Sequence, residues 1–270
     1  MKPRQLLRQV REELRRDAEI ILAHLLKVKV ADLHLLEESD LDKGLVSLFW
    51  KMLKKREEGI PTAYIIGEWE FFGRTFLVEE GVLVPRPETE ILVERVLGLI
   101  PQDAELCGLD LGTGTGCIAI TLLLERPNLK MWATDVNPVA VRTAVKNSDL
   151  HGVSERLKVL KGDLFEPVEG MVFDFIVSNP PYIPDHLWED LPQEVRSEGK
   201  VSVVGGKKGY EFYERIAGRL REFLRPGGFV ALEIGHDQGK VVKGLLESVG
   251  LRVNIYRDLS GQERVVVGWS

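Results

Sequence analysis

The sequence predicts an α/β fold: a mostly parallel sheet covered by helices on both faces, closed at one edge by an antiparallel hairpin and preceded by a small helical domain. Three observations carry this. From Leu106 onward, short β-branched runs alternate with helical segments, a pattern that builds parallel strands joined by crossover helices. The last two runs have no helix between them and so must pair as a hairpin. The first sixty residues carry helical periodicity, and at 270 residues the chain has room for one large domain and an appendage.

Taken in order, Leu6, Leu7, Val10, Leu14, Ala18, Ile21, Leu22 and Leu25 recur at helical spacing from Arg4 to Leu26, and Leu45, Leu48, Phe49, Met52 and Leu53 do so from Leu41 to Glu57. Residues 1–62 are therefore expected to form a helical domain. Tyr64 to Ile66, Glu68 to Phe72 and Thr75 to Val78 are aromatic and β-branched with a turn at Gly73-Arg74, so residues 63–87 are expected to be a β-hairpin connector. Pro85 and Pro87 hold an extended approach to a helix from Thr89 to Leu99, opening a domain over residues 88–270. Strands then follow at Leu106 to Leu111, Lys130 to Thr134, Leu157 to Leu160, Phe173 to Ser178 and Gly228 to Ile234. The helices between and after them are Cys117 to Glu125, Pro138 to Leu150, Tyr210 to Phe223 and Gln238 to Val249, with the closing pair at Arg252 to Tyr256 and Arg264 to Gly268.

A net charge of −6 argues against a protein that holds nucleic acid by phosphate neutralisation, so stable nucleic-acid binding is not expected. Cys107 and Cys117 are too few for a disulfide framework, lack zinc-site spacing, and read as buried apolar residues in a reducing compartment. The histidines are scattered, and no metal site is expected. The Arg- and Glu-rich start has no apolar core segment, and no later run approaches spanning length. The expectation is a cytoplasmic, monomeric protein away from membranes.

Asp110-Leu111-Gly112-Thr113-Gly114-Thr115-Gly116 ends the first strand of the wound sheet and opens a helix, where glycines let a ligand approach the backbone. The third glycine of a dinucleotide fingerprint would fall on Cys117, and no Gly-Lys-Ser/Thr follows, so a pyrophosphate ligand is disfavoured. An acidic residue followed by Gly-x-Gly-x-Gly resembles the first motif of class I methyltransferases. That resemblance implies S-adenosyl-L-methionine as cofactor and S-adenosyl-L-homocysteine as product, with Asp110 near the ammonium group. The backbone of Gly112, Thr113, Gly114 and Gly116 would pack against the sulfonium-bearing chain. Asp135 follows the next strand about twenty residues on, where an acid accepts from ribose hydroxyls. After the third strand, Asp163 is placed to accept from the adenine amino group, with Leu164 or Phe165 beside the ring, resembling the family's third motif. A glycine loop alone can be a tight turn and a lone Asp a helix cap. Three such features at successive strand ends favour a ligand site.

The fourth strand runs into Asn179-Pro180-Pro181-Tyr182 beside that site. The prolines fix the backbone and supply no N–H, so neighbouring carbonyls and the Asn179 side-chain oxygen can accept from a substrate NH2. An amide or aromatic amine is a poor nucleophile because its lone pair is delocalised; accepting both hydrogens favours a pyramidal nitrogen aimed at the methyl group. Catalysis then rests on orientation and electrostatics. Asn179, Pro180 and Tyr182 are the expected catalytic residues, Asn179 to Tyr182 the substrate site, with Asn179 also bordering the cofactor and Tyr182 stacking on or walling the planar substrate.

The segment Val84-Pro85-Arg86-Pro87-Glu88-Thr89-Glu90, the two motifs above, the Glu233-Ile234-Gly235 strand end and Gly67 to Gly73 together resemble the HemK/PrmC family over nearly the whole chain. This family methylates the glutamine of a Gly-Gly-Gln loop in peptide chain release factors. The resemblance implies that Asn179 and Pro180 grip that glutamine, that the N-terminal domain recognises the release factor, and that Arg86 and Glu88 lie near the active site, where a linker ion pair is an equal reading. Glu233 reads as a strand-end carboxylate organising its loop. Gly199 stands where the family usually has proline, and Gly205-Gly206-Lys207-Lys208-Gly209 replaces Gly-Gly-x-Asp-Gly, which points to a looser substrate loop. The alternatives are glutamine methylation of a ribosomal protein, N-methylation of adenine in DNA or RNA, which normally needs a basic, aromatic recognition element, and a cofactor-binding regulator without activity.

Overall fold

The computed structural model describes residues 1–36 and 40–270, which divide into two units, Met1–Glu68 and Trp69–Ser270. In the first unit, α1 (Pro3–Leu7), α2 (Arg15–Leu26), α3 (Lys43–Glu57) and α4 (Thr62–Ile66) surround a core that includes Leu6, Val10, Ile21, Leu22, Phe49 and Leu53. Asp42 caps α3 by accepting from the Gly44 and Leu45 amides, and Lys54, Lys55 and Arg56 occupy its last turn, both favourable to the helix dipole. Asp17 of α2 accepts from Arg56 Nε at 2.9 Å and from the Thr62 hydroxyl, joining three helices.

Two expectations change here. The periodic segment from Arg4 to Leu26 is not one helix: Arg11 is extended, at φ −57° and ψ 147°, and a short 3-10 turn at Glu12–Leu14 precedes α2. Leu6 and Val10 still reach the core shared by Ile21 and Leu22, so burial rather than helical period sets the break. Tyr64 to Ile66 is helical rather than extended. Gly67, at φ +80°, caps this turn with its N–H on the Ala63 carbonyl, and packing of Ile65 and Ile66 on the helical core overrides their β preference.

The second unit opens within β1 (Glu68–Phe71), which forms a hairpin with β2 (Arg74–Leu77), turned by Phe72 and Gly73 at φ +52° and +68°. Two left-handed residues give a turn whose twist matches the strands. The main sheet contains β3 (Cys107–Leu111), β4 (Lys130–Asp135), β5 (Leu157–Lys161), β6 (Phe173–Ser178), β7 (Leu224–Glu233), β8 (Arg252–Arg257) and β9 (Glu263–Trp269) in the order β5-β4-β3-β6-β7-β9-β8. The first five positions pair in parallel, whereas β9 is antiparallel to both β7 and β8. The expected closing hairpin is present, with the last strand lying inside and β8 at the edge.

Along these strands apolar side chains alternate between two cores. Phe229, Ala231, Val265 and Val267 join one with Leu92, Val93 and Ile118, while Val230, Leu232 and Val266 join the other with Tyr213, Leu220 and Val242. The first core is covered by α5 (Pro87–Leu99) and α6 (Cys117–Glu125) and the second by α10 (Glu211–Phe223) and α11 (Gly239–Ser248). Between these helices come α7 (Pro138–Leu150) and two short pieces, α8 (Gln193–Ser197) and α9 (Lys200–Val203). The order in which strands are added switches from one side of β3 to the other at β6, and a crevice forms beyond the carboxyl ends of these two parallel strands, the usual ligand position in open α/β sheets. Among the described residues no helix is long and apolar enough to cross a membrane.

Candidate active site

Four strand ends build the crevice. After β3, Gly112, Gly114 and Gly116 sit at φ +70°, +57° and +81°, a run that side-chain-bearing residues rarely adopt. The Gly112 and Thr113 amides donate to the Thr134 carbonyl at 2.8 and 3.0 Å, tying the loop to β4. A Cβ on Gly116 would lie 3.3 Å from Ala144 Cα, so this glycine lets α6 pack against α7, whereas Gly112 opens onto free space. Asp110 is fully buried, its Oδ2 accepting from the Thr113 hydroxyl at 2.7 Å and its Oδ1 without a protein partner. Burial pushes its carboxyl up to about 7.

At the end of β4, Asp135 accepts from the Gly114 amide at 2.9 Å and the Asn137 amide at 2.8 Å, and burial raises its pKa. After β5, Leu164 adopts φ +47° while its carbonyl accepts from Thr134 at 2.8 Å. Gly112, Thr113, Gly114, Asp135, Asp163, Leu164 and Asn179 all line one cleft. Three expected cofactor residues stand back from its wall. Asp110 and Gly116 lie behind the loop, and Phe165 is buried against Phe223 with ring centroids 4.4 Å apart, supporting the loop instead. The Asp163 carboxylate is paired with Arg215 at 2.6 Å.

Where β6 ends, Ser178 donates to the Leu111 carbonyl at 2.6 Å and fixes the exit of the chain beside β3. Asn179, Pro180 and Pro181 line both this cleft and a second chamber, which also meets Tyr182, Glu198, Glu233 and Arg264. The tetrapeptide therefore separates two chambers. Asn179 Nδ2 donates to the Thr89 hydroxyl at 3.1 Å. Tyr182 borders only the second chamber, and burial, with the nearby Glu233, pushes its hydroxyl up to about 12, so it stays neutral. Its main-chain oxygen is occupied by Gln238 Nε2 at 2.9 Å, and Tyr213 donates to the Glu233 carbonyl at 2.9 Å behind it.

The glycine-rich loop is pinned rather than loose. A Cβ on Gly205 would stand 2.4 Å from the Pro181 carbonyl, and Glu211 accepts from the amides of Lys208, Gly209 and Tyr210. The side chain at 208 is therefore not what holds the loop. Gly199 has φ +86°, which proline cannot adopt, so the departure there is a real change of backbone. Its neighbour Glu198 pairs with Arg86 at 2.6 Å and accepts from the Val84 amide at 3.3 Å. Arg86 is thus committed to a residue 112 positions away rather than to a linker ion pair. Thr89, Gln238, Tyr213 and Glu198 were missed as site residues. Thr89 stood within a quoted motif, but a lone Gln or Tyr on a helix gives no sequence signal.

A chamber with a glycine-rich loop and a carboxylate at its edge fits a zwitterionic cofactor: the open backbone at Gly112 and the Asp135 carboxylate suit cationic and hydroxyl groups. Fold and cleft together define a class I S-adenosylmethionine-dependent methyltransferase. The family of the methyltransferase small domain matches residues 88–229, and that of the PrmC N-terminal domain matches residues 3–67. The release factor glutamine methyltransferase of Aquifex aeolicus is 58% identical, covering 100% of this chain and 97% of its own. That of Moorella thermoacetica is 35% identical over 96% of this chain and 92% of its own. A methyltransferase from Pyrococcus furiosus shares the fold with a TM-score of 0.56 at 21% identity, covering 74% of this chain and 90% of its own. The chain belongs to the release factor glutamine methyltransferase family.

Proposed function

We propose that this protein transfers the methyl group of S-adenosylmethionine to the side-chain amide nitrogen of the glutamine in the Gly-Gly-Gln motif of peptide chain release factors. The observation that carries this is the position of Asn179-Pro180, which faces both the cofactor cleft and the neighbouring chamber. When bound, the cofactor supplies a methyl group activated by its sulfonium. Gly112, Thr113 and Gly114 take its amino-acid chain, with Asp110 and Gly116 setting their loop from behind. Asp135 takes the ribose hydroxyls, and Asp163 and Leu164 take the adenine, with Phe165 as support.

In the second chamber, Asn179 Oδ1 and the Pro180 carbonyl accept the two N–H hydrogens of the glutamine amide. The lone pair then points toward the cofactor cleft. Pro181 stiffens this wall, and Tyr182, neutral and half-buried, closes it against water. The methylated amide nitrogen is acidic and gives up its extra proton after transfer, so no strong base is required. Residues 1–62 serve release-factor recognition, residues 63–87 connect, and residues 88–270 carry the chemistry. The protein acts as a cytoplasmic monomer without stable nucleic-acid binding, in keeping with its net charge of −6.

The test offers labelled cofactor with a release factor, a ribosomal protein or nucleic acid. Label in the release factor, lost when its motif glutamine is replaced, is expected; label only in nucleic acid overturns the reading. Asn179→Ala should abolish transfer while cofactor binding persists, and loss of binding instead would show that Asn179 belongs to the other chamber.

A further inference from the structure

Thr89, at the first turn of α5, and Glu233, at the end of β7, are both buried and meet behind Asn179. Asn179 Nδ2 donates to Thr89 Oγ1 at 3.1 Å, and the Thr89 side chain lies beside the Glu233 carboxyl and lowers its proton affinity. A hydroxyl has a single hydrogen. With Nδ2 already donating to the oxygen, that hydrogen is free for the neighbouring Glu233, which as a carboxylate can only accept. The direction of both bonds is then set. An Asn carboxamide can sit in its slot in two orientations of similar shape, and this one leaves Oδ1, not the NH2 group, for a ligand.

We propose that Thr89 and Glu233 are a positioning pair that holds the Asn179 carboxamide with its oxygen toward the substrate amide. The inference rests on the reading of Asn179 as an acceptor for the glutamine NH2. Reversing the carboxamide would place NH2 against NH2, two donors with nothing between them. The pair also explains an acid in this place. Glu233 Oε2 has no protein partner in a fully buried position, an arrangement that a structural strand end does not require.

The carboxyl faces Thr89, Arg86, Glu88 and Arg264, and the buried hydroxyls of Tyr182 and Tyr213 and the thiol of Cys117 share its field. Burial places its titration at about 7. Once protonated, Glu233 can donate to Thr89 Oγ1, which frees the Thr89 hydrogen for Asn179 Oδ1 and reverses the relay. Turnover should therefore fall as pH is lowered through neutrality.

The test uses the full chain with a release factor as substrate. Thr89→Val keeps the shape and removes the hydroxyl; its kcat should drop by about 10-fold or more, while KM and the Kd for S-adenosylhomocysteine stay within about 3-fold. Thr89→Ser should return to within about 3-fold of the parent. The fall of kcat at low pH should vanish in Glu233→Gln and in Thr89→Val. Independently of turnover, the Asn179 side-chain amide NMR signals, assigned by their loss in Asn179→Ala, should move with the Glu233 titration in the parent and not in Thr89→Val. Unchanged kcat in Thr89→Val, failure of Thr89→Ser to rescue, or Asn179 signals blind to the titration each overturn the pair. A parent protein that methylates no release factor overturns the amide reading instead, and the NMR measurement still decides whether the pair orients Asn179.

Discussion

Gln238 Nε2 donates to the main-chain oxygen of Tyr182 at 2.9 Å and to that of Gly209 at 3.0 Å, while its Oε1 accepts from the Gly235 amide at 3.0 Å. One buried carboxamide thus joins the substrate wall, the glycine-rich loop and the exit of β7. Gln238→Leu would leave two buried carbonyls without donors. The expected cost is about 2–3 kcal/mol of unfolding free energy, read by urea denaturation. Turnover should fall more than cofactor affinity does. A variant as stable and as active as the parent would show that water takes over these bonds.

Gly205 and Gly199 should respond differently to the same added methyl group. At Gly205 a Cβ meets the Pro181 carbonyl at 2.4 Å and Tyr182 Cα at 2.8 Å, so Gly205→Ala must displace the tetrapeptide and depress transfer. At Gly199 the nearest atoms are 3.7 Å away, and Gly199→Ala pays only the backbone strain of φ +86° with ψ 138°, a conformation nearly confined to glycine, about 1–3 kcal/mol. Side-by-side kcat values decide the point: equal losses would contradict the assigned contact.

Glu198 is held in the fold at about 7, raised by burial in spite of its Arg86 partner, against an ordinary value of 4.5. The folded state therefore keeps this proton more tightly than the unfolded chain. That contribution to stability is fully present below about pH 4.5 and is lost as pH rises through about 7. Glu198→Gln removes the titration and retains an acceptor for the Val84 amide. Relative to the parent, the variant should gain on the order of 2–3 kcal/mol between pH 4.5 and pH 8. Parallel stability curves for the two proteins across that range would refute it.

Asp135 uses both oxygens on backbone amides of the cofactor cleft, at 2.9 and 2.8 Å. Asp135→Ala loosens the glycine loop and removes the acceptor proposed for the ribose, so it should cost about 1.5–3 kcal/mol, or roughly 10–100-fold in the Kd for S-adenosylhomocysteine. Calorimetric titration measures it. KM for the release factor should move much less, since Asp135 lines the first cleft and not the second.

Much of this site was legible because its signals are local. The glycines of residues 112–116 mark left-handed backbone at φ +57° to +81°, and the prolines at 180 and 181 mark a fixed exit from a strand. Phe165 shows the limit of such reading. It follows the correct strand, yet its ring stacks on Phe223, a residue brought in by α10, and so supports the cleft without lining it. The Gly-Gly-Lys-Lys-Gly loop differs from its sequence expectation for a related reason, since the carboxylate that secures it is Glu211, which accepts from the Lys208 amide.

By itself the sequence determined the alternation of strands and helices, the closing hairpin, the glycine-rich loop after the first strand of the sheet and the proline-fixed tetrapeptide after the fourth, because periodicity, glycine and proline act on their immediate backbone. Only the tertiary structure decided where the N-terminal periodic segment breaks, that Tyr64 to Ile66 coil into a helical turn, and that Thr89 and Gln238 hydrogen-bond the tetrapeptide while Glu198 and Glu233 wall the chamber beside it. Those residues act through buried hydrogen bonds between segments far apart in the chain, and a buried polar side chain acquires its role from the partners that folding brings to it.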